Sequence, residues 1–192
     1  MVRTMIEQDR FWKLLEPEYY RGMMFCRKLI GDRDRGDDLY QDALVIACDH
    51  FGELRSEAAF RPWLYRIIVT TFKSTVRRPW WRRRVPMTYD HETVLISPDP
   101  TDRRGARRWL DLAFRAVSAD DQALVTLHEL EGWPVAELAV LYGKTEGAIK
   151  AQLFRARNKM KTALLKSGRL AGMTSEHRLA REQCAVVKPE TE

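Results

Sequence analysis

Ala139, Gly143 and Ile149 constrain this chain more than any other feature; they lie in EGWPVAELAVLYGKTEGAIKAQLFRARNKM. A helix-turn-helix needs a small residue where its two helices approach each other. It then needs glycine at the turn, where a positive φ carries no steric cost. Further on it needs an aliphatic residue to pin the second helix inward. All three requirements fall at the right offsets, and basic residues (Lys150, Arg155, Arg157) follow on the second helix. The reading is a DNA-reading unit, with an ordinary helical hairpin as the duller alternative.

The rest of the chain repeats helical spacing, and nothing alternates convincingly with a period of two. Phe11, Leu14 and Leu15 begin one apolar stripe; Met24, Leu29 and Ile30 continue on a second. Asp32 to Gly36 then reads as a turn. Leu39, Ala43, Ile46 and Ala47 give a buried helix face, with Gly52 as the expected terminator. Pro62 fits only the first turn of the next helix, whose inward stripe is Trp63, Leu64, Ile67, Ile68 and Thr71. From Val85 to Arg104, Pro86, Pro98 and Pro100 interrupt a stretch without apolar period, which reads as a linker. Leu110, Ala113, Phe114 and Val117 restart the helical pattern. Ser118 with Asp121 resembles a capping box for a helix from Asp120 to Glu131. The expected fold is all-α: two small helical domains joined by a flexible linker. The divisions fall at 5–84, a linker at 85–105, a helix-turn-helix domain at 106–167, and an extension at 168–192 with one short helix and a frayed end.

Net charge is +6, but its distribution says more than the sum. Acidic residues outnumber basic ones up to Glu57, with Asp32, Asp34, Asp37, Asp38 and Asp42 crowded together. From Arg61 to Arg84 there is no acidic residue. One acidic and one basic face suit a basic protein partner plus a polyanion, although either can be a plain solvated surface. No apolar run approaches the roughly 20 residues that span a bilayer, and MVRTMIEQDRFWKLL is no signal peptide. A cytoplasmic, nucleoid-associated chain without membrane contact is expected. Cys26, Cys48 and Cys184 form no close pair; the first two read as inert core thiols and Cys184 as an exposed spare.

Three constellations carry chemistry. On the second helix of the helix-turn-helix, Thr145 can cap the start, and Gly147 lets backbone amides approach a phosphate. Ile149, Leu153, Ala156 and Met160 share a face that must be buried. Lys150, Ala151, Phe154 and Arg155 then lie towards the major groove, with Gln152 nearer its edge, where it can pair with adenine. The run RRPWWRRR, Arg77 to Arg84, joins guanidinium groups to stacking platforms and follows Arg61, Arg66 and Lys73. That mixture suits single-stranded or melting DNA; closure of the core by Trp80 and Trp81 is the alternative. The acidic helix start GDDLYQDA offers a docking face for a basic protein. It fails as a calcium loop, because from Asp32 the glycine position holds Asp37 and the last position Ala43. His50, His91, His128 and His177 are scattered. No catalytic residues, metal ligands or cofactor are expected.

Together the acidic DLxQ helix, the FRxWLYRI helix, the basic run, the linker and the helix-turn-helix resemble the extracytoplasmic-function sigma factors of bacterial RNA polymerase. The resemblance runs from roughly Trp12 to Lys166. It implies a promoter-specific initiation factor whose partners are core RNA polymerase (β′ and β subunits), promoter DNA and an anti-sigma factor. Asp38, Leu39, Gln41 and Asp42 would bind the β′ coiled coil. Arg66, Lys73, Arg77, Arg78, Trp80 and Arg82 would serve the −10 side, with the loop from Gly52 to Ala59 capturing an unstacked base. Thr145, Gly147, Lys150, Gln152 and Arg155 would serve the −35 helix, in a module matched also by Glu137, Leu138, Ala139, Gly143 and Ile149. The chain departs from the family where Ala-Arg-Asn is usual after WLYRI: it has Ile68, Val69 and Thr70. Lys144 replaces an aliphatic residue, Pro134 a serine cap, and Gln152 and Phe154 stand where Arg and His are common. A dimeric helix-turn-helix regulator and a sigma mimic that titrates an anti-sigma factor are the alternatives.

Overall fold

A computed structural model describes residues 2–78 and 109–166, with side chains from residue 8 onward. Among these residues every regular element is helical: α1 (Val2–Ile30), α2 (Arg33–Asp49), α3 (Phe60–Arg77), α4 (109–115), α5 (Ala119–Val125), α6 (Val135–Tyr142) and α7 (Glu146–Lys166). The linker and the C-terminal extension expected from the sequence lie outside the described residues.

The two expected N-terminal stripes belong to one helix, α1. Pro17 sits inside it on the exposed side, where water can take the carbonyl its missing N–H leaves unpaired. The reversal after α1 is made by Gly31 (φ 74), not by the whole stretch to Gly36. Asp32 caps α2, its Oδ1 accepting the Arg35 N–H at 2.9 Å. Gly36 is a buried helical residue at the α1–α2 crossing. A Cβ there would lie 2.5 Å from the Arg27 Cα. Gly52 does not terminate α2, which stops at Asp49; the loop onward is two short 3-10 turns, Phe51–Glu53 and Glu57–Ala59.

On α2, Leu39, Ala43 and Ala47 face inward as expected, but Ile46 is exposed. Helix α3 buries Leu64, Ile68 and Thr71, and also Tyr65, Val69 and Phe72 from its other side. The reason is its position: α1 and α2 pack on one side, α5 and α6 on the other. The two helical units therefore share a continuous core. Ser118 caps α5, accepting the Asp121 N–H at 3.1 Å. That helix ends sooner than expected, at Val125, and widens into one π turn, Thr126–Leu130.

Polar contacts join the units at the edges of the core. The Gln122 side chain donates to the Leu29 carbonyl at 2.9 Å, satisfying a group that the end of α1 leaves without a helical donor. Trp133 packs against Tyr65 with the rings tilted by 56° and their centroids 4.7 Å apart, and the Arg61 guanidinium lies 4.2 Å from the Trp133 ring centre. Lys28 pairs with Glu131 at 2.7 Å, Arg61 with Glu137 at 2.9 Å, and Lys73 with Asp120 at 2.7 Å.

Cys26 is buried as expected, whereas Cys48 is exposed. Burial, then the Asp37 charge, pushes the Cys26 thiol well above its ordinary 9.0. Burial likewise raises Tyr40, Tyr65 and Tyr142 above 10.0. Folding therefore holds these groups neutral where the unfolded chain ionises. Their contribution to stability is full below about pH 9 and is lost progressively at higher pH. In thiol titration at pH 8, Cys48 should react in the folded chain and Cys26 only on unfolding. Fast modification of Cys26 in folded protein would contradict its placement.

Candidate nucleic-acid and protein-docking surfaces

The helix-turn-helix is built by local chemistry. Gly143 adopts φ 62, ψ 38 at the end of α6, and the N–H groups of Gly143 and Lys144 return to the Val140 and Ala139 carbonyls at 3.2 and 2.9 Å. A Cβ at Gly143 would meet nothing within 4 Å, so the left-handed backbone, not crowding, demands glycine. Thr145 Oγ1 accepts the Ala148 N–H at 3.2 Å and caps α7. Ile149, Leu153 and Ala156 are buried and Met160 is half-buried. Their opposite face exposes Gly147, Lys150, Ala151, Phe154 and Arg155. Lys150 lies 3.7 Å from Glu146, an exposed pair one turn apart that a phosphate can displace.

Gln152, expected near the groove, and Arg157, one of the basic residues of the second helix, are turned to other work. Gln152 is buried: its amide donates to Asp121 at 2.8 Å, and its carbonyl accepts from Lys144 at 2.7 Å. That bracing of the turn against α5 removes it from the surface where an adenine would be read. Arg157 is held by Glu129 through both Nε and a terminal nitrogen.

On α2, Asp38, Gln41 and Asp42 are exposed and, at spacings of three and four, share one face. Leu39 is 2% exposed and belongs to the core, so it positions this face and cannot itself be touched by a partner. The neighbouring Asp37 is taken by Arg27, whose Nε and terminal nitrogen donate to its two oxygens at 2.6 and 2.8 Å. An open groove of about 760 Å³ runs between α2 and α3, with Asp42, Val45 and Ile46 along one side and Arg66, Thr70, Ser74 and Arg78 along the other. Arg66, Arg77 and Arg78 are exposed, while Lys73 is engaged by Asp120. Trp80 and Arg82 lie outside the described residues. The loop from 52 to 59 is largely exposed, and Arg10 ties its Glu57 to α1 at 2.6 Å.

Sequence reasoning passed over Lys28, Gln122, Glu131 and Trp133, which join the two units. Only Trp133 left a trace, as a large aromatic residue beside Pro134 at the start of the helix-turn-helix. Among the described residues no group of three or more His, Cys, Asp or Glu can hold a metal ion, and no helix is long and apolar enough to cross a membrane.

This arrangement has known counterparts. Residues 20–82 match the family Sigma-70 region 2, and residues 107–160 match Sigma-70, region 4. The chain belongs to the sigma-70 family. Its α1–α3 unit is thus region 2, and the helix-turn-helix unit is region 4. Among relatives, it is 28% identical over 124 residues to ECF RNA polymerase sigma factor SigM of Mycobacterium tuberculosis, which covers 65% of this chain and 61% of that one. It therefore spans less than two thirds of SigM's length. RNA polymerase sigma factor CarQ of Myxococcus xanthus is 25% identical over 161 residues, 82% of this chain and 90% of CarQ. The fold is shared with the sigma factor RpoE of Bartonella quintana, solved with the anti-sigma factor NepR (TM-score 0.57, 24% identity, 81% of this chain and 96% of that one). It is shared too with CnrH, solved with the cytosolic domain of CnrY (TM-score 0.57, 20% identity, 83% and 90%).

Proposed function

We propose that the chain is an initiation factor of the extracytoplasmic-function type. It docks on core RNA polymerase through region 2, helps open the −10 element, and places the complex through region 4 at the −35 element. The observation that carries this reading is the pairing of two exposed faces of opposite sign on one molecule. Asp38, Gln41 and Asp42 form one on α2, and Lys150 and Arg155 form the other on α7.

Each step has a physical driver. Carboxylates on a rigid helix meet a basic protein surface and set the orientation of docking. Arg66, Arg77 and Arg78 border the α2–α3 groove, where cations neutralise the displaced strand's phosphates. Lys150 and Arg155 reach phosphates or guanine edges in the major groove, and the Thr145-capped start of α7 offers its free amides to the backbone. Strand opening is driven by binding energy, and the chain catalyses no reaction. It works in the cytoplasm at the nucleoid. An anti-sigma protein would restrain it by covering the exposed faces of region 2.

Lys150→Ala and Arg155→Ala should each weaken promoter binding by the holoenzyme. Removing a phosphate-binding cation lowers the salt slope by about 1, whereas removing a base-reading side chain costs about 1–3 kcal/mol and relaxes specificity at one position. Promoter protection measured from low to moderate salt separates the two cases. Unchanged protection with both variants would refute the placement of α7 in the groove.

A further inference from the structure

We propose that Arg10 is a positioning residue for strand opening: it fastens the loop from 52 to 59 in one shape before DNA arrives, so that the displaced strand meets a loop already ordered. The loop borders the α2–α3 groove, because His50 and Glu53 at its start line that groove together with Trp63 and Arg66. The inference rests on the function proposed above, in which this groove receives the displaced strand.

Both ends of the loop are held by one aromatic cluster. Phe51 precedes it and Phe60 follows it, with ring centroids 6.4 Å apart. Phe11 of α1 packs edge-on against both, at 5.3 and 5.9 Å, and all three rings are buried. The span between these anchors is less secure. Gly52, Glu53 and residues 55–58 are exposed. Its backbone bonds are local and close two 3-10 turns, Leu54 N–H to Phe51 at 3.1 Å and Ala59 N–H to Ser56 at 3.0 Å. His50 Nδ1, 2.9 Å from Glu53 Oε1, braces the first turn. Arg10 reaches the second from α1: its Nε donates to Glu57 Oε1 at 2.6 Å, and its guanidinium carbon lies 5.7 Å from the Phe51 ring centre. One side chain thus ties the far turn of the loop to α1 and to the ring that anchors the near turn.

This chemistry suits positioning more than stability. The two partners are 48% and 55% exposed, and a solvated ion pair adds little to the global fold. A surface loop is a different case, because few contacts decide its shape. A strand that binds one loop shape loses affinity in proportion to the time the loop spends in others.

Glu57→Gln is the informative variant. It removes the pair together with one negative charge of the loop, so electrostatics alone predicts tighter binding of DNA. Loss of positioning predicts the opposite. Holoenzyme would be studied on a promoter fragment that the wild type transcribes, carrying 2-aminopurine, which brightens on unstacking, at single sites of the −10 element. At equal promoter occupancy, Glu57→Gln and Arg10→Gln should each lower the opening signal about three- to fivefold, the factor an exposed pair can supply. Affinity for core enzyme and the melting temperature should stay near wild type, which a general weakening of the fold would not allow. The swap Arg10→Glu with Glu57→Arg keeps the net charge and should restore opening. Opening by Glu57→Gln as fast as the wild type's, or faster, would overturn the positioning role. So would a swap that restores nothing, since Arg10 would then act on DNA or polymerase directly. A wild-type holoenzyme that opens no promoter would sink the functional reading and this inference with it, whereas a wild type that opens and is matched by Glu57→Gln sinks the inference alone.

Discussion

Asp38→Lys combined with Asp42→Lys is expected to reduce affinity for core polymerase by about 100-fold or more, with the melting temperature nearly unchanged. Both side chains are exposed, one turn apart on α2, and neither makes an ion pair or hydrogen bond among the described residues. Their removal therefore breaks nothing inside the fold, and surface substitutions of this kind stay within about 0.5 kcal/mol. At an interface the result differs. Like charges brought face to face cost several kcal/mol, and each 1.4 kcal/mol is tenfold in affinity. Lys150→Ala, on the far side of region 4, should leave core binding within about twofold. A fluorescence titration of labelled chain with core enzyme distinguishes the two variants. Equal losses would contradict the division of labour between the regions.

Gly36→Val should be among the most damaging single changes to the fold, costing about 3 kcal/mol or more. A Cβ at that position falls 2.5 Å from the Arg27 Cα and 2.8 Å from its nitrogen, both backbone atoms inside α1 that cannot swing away. The helices must separate, carrying with them the Arg27–Asp37 pair and the face that presents Asp38 and Asp42. Core binding should fall along with stability. Gly52→Ala is the matched control: nothing lies within 4 Å of its Cβ and its φ is not positive, so its melting curve should stay close to that of the wild type. Thermal unfolding of the three proteins decides the matter, and a Gly36→Val melt matching wild type would contradict the close crossing.

What the sequence disclosed was mostly what neighbouring residues decide among themselves. The Gly143 turn, the Thr145 and Ser118 caps and the Ile149–Leu153–Ala156 stripe each depend on partners within a few positions, and each is present in the structure. The all-α fold followed from the same periodicity. Misreadings arose where a distant partner overrides the local pattern. Gln152 has the chemistry to read adenine, but Asp121 and Lys144 draw it inward. Gly36 has the composition of a turn, yet it marks a helix crossing with Arg27. Tyr65, Val69 and Phe72 fall off the single stripe expected for α3, because a second unit covers its other side. The acidic and basic sets were legible as charge, but a charged residue's role depends on what faces it. Lys73 looks like Arg66 in sequence, and only the fold sets Asp120 against one while leaving the other exposed.

Run-off transcription with core polymerase, the purified chain and a library of genomic fragments is the most direct test. The account predicts discrete transcripts that require both protein components and disappear with Asp38→Lys plus Asp42→Lys. Transcripts indifferent to the chain, or no association with core enzyme at low salt, would contradict it.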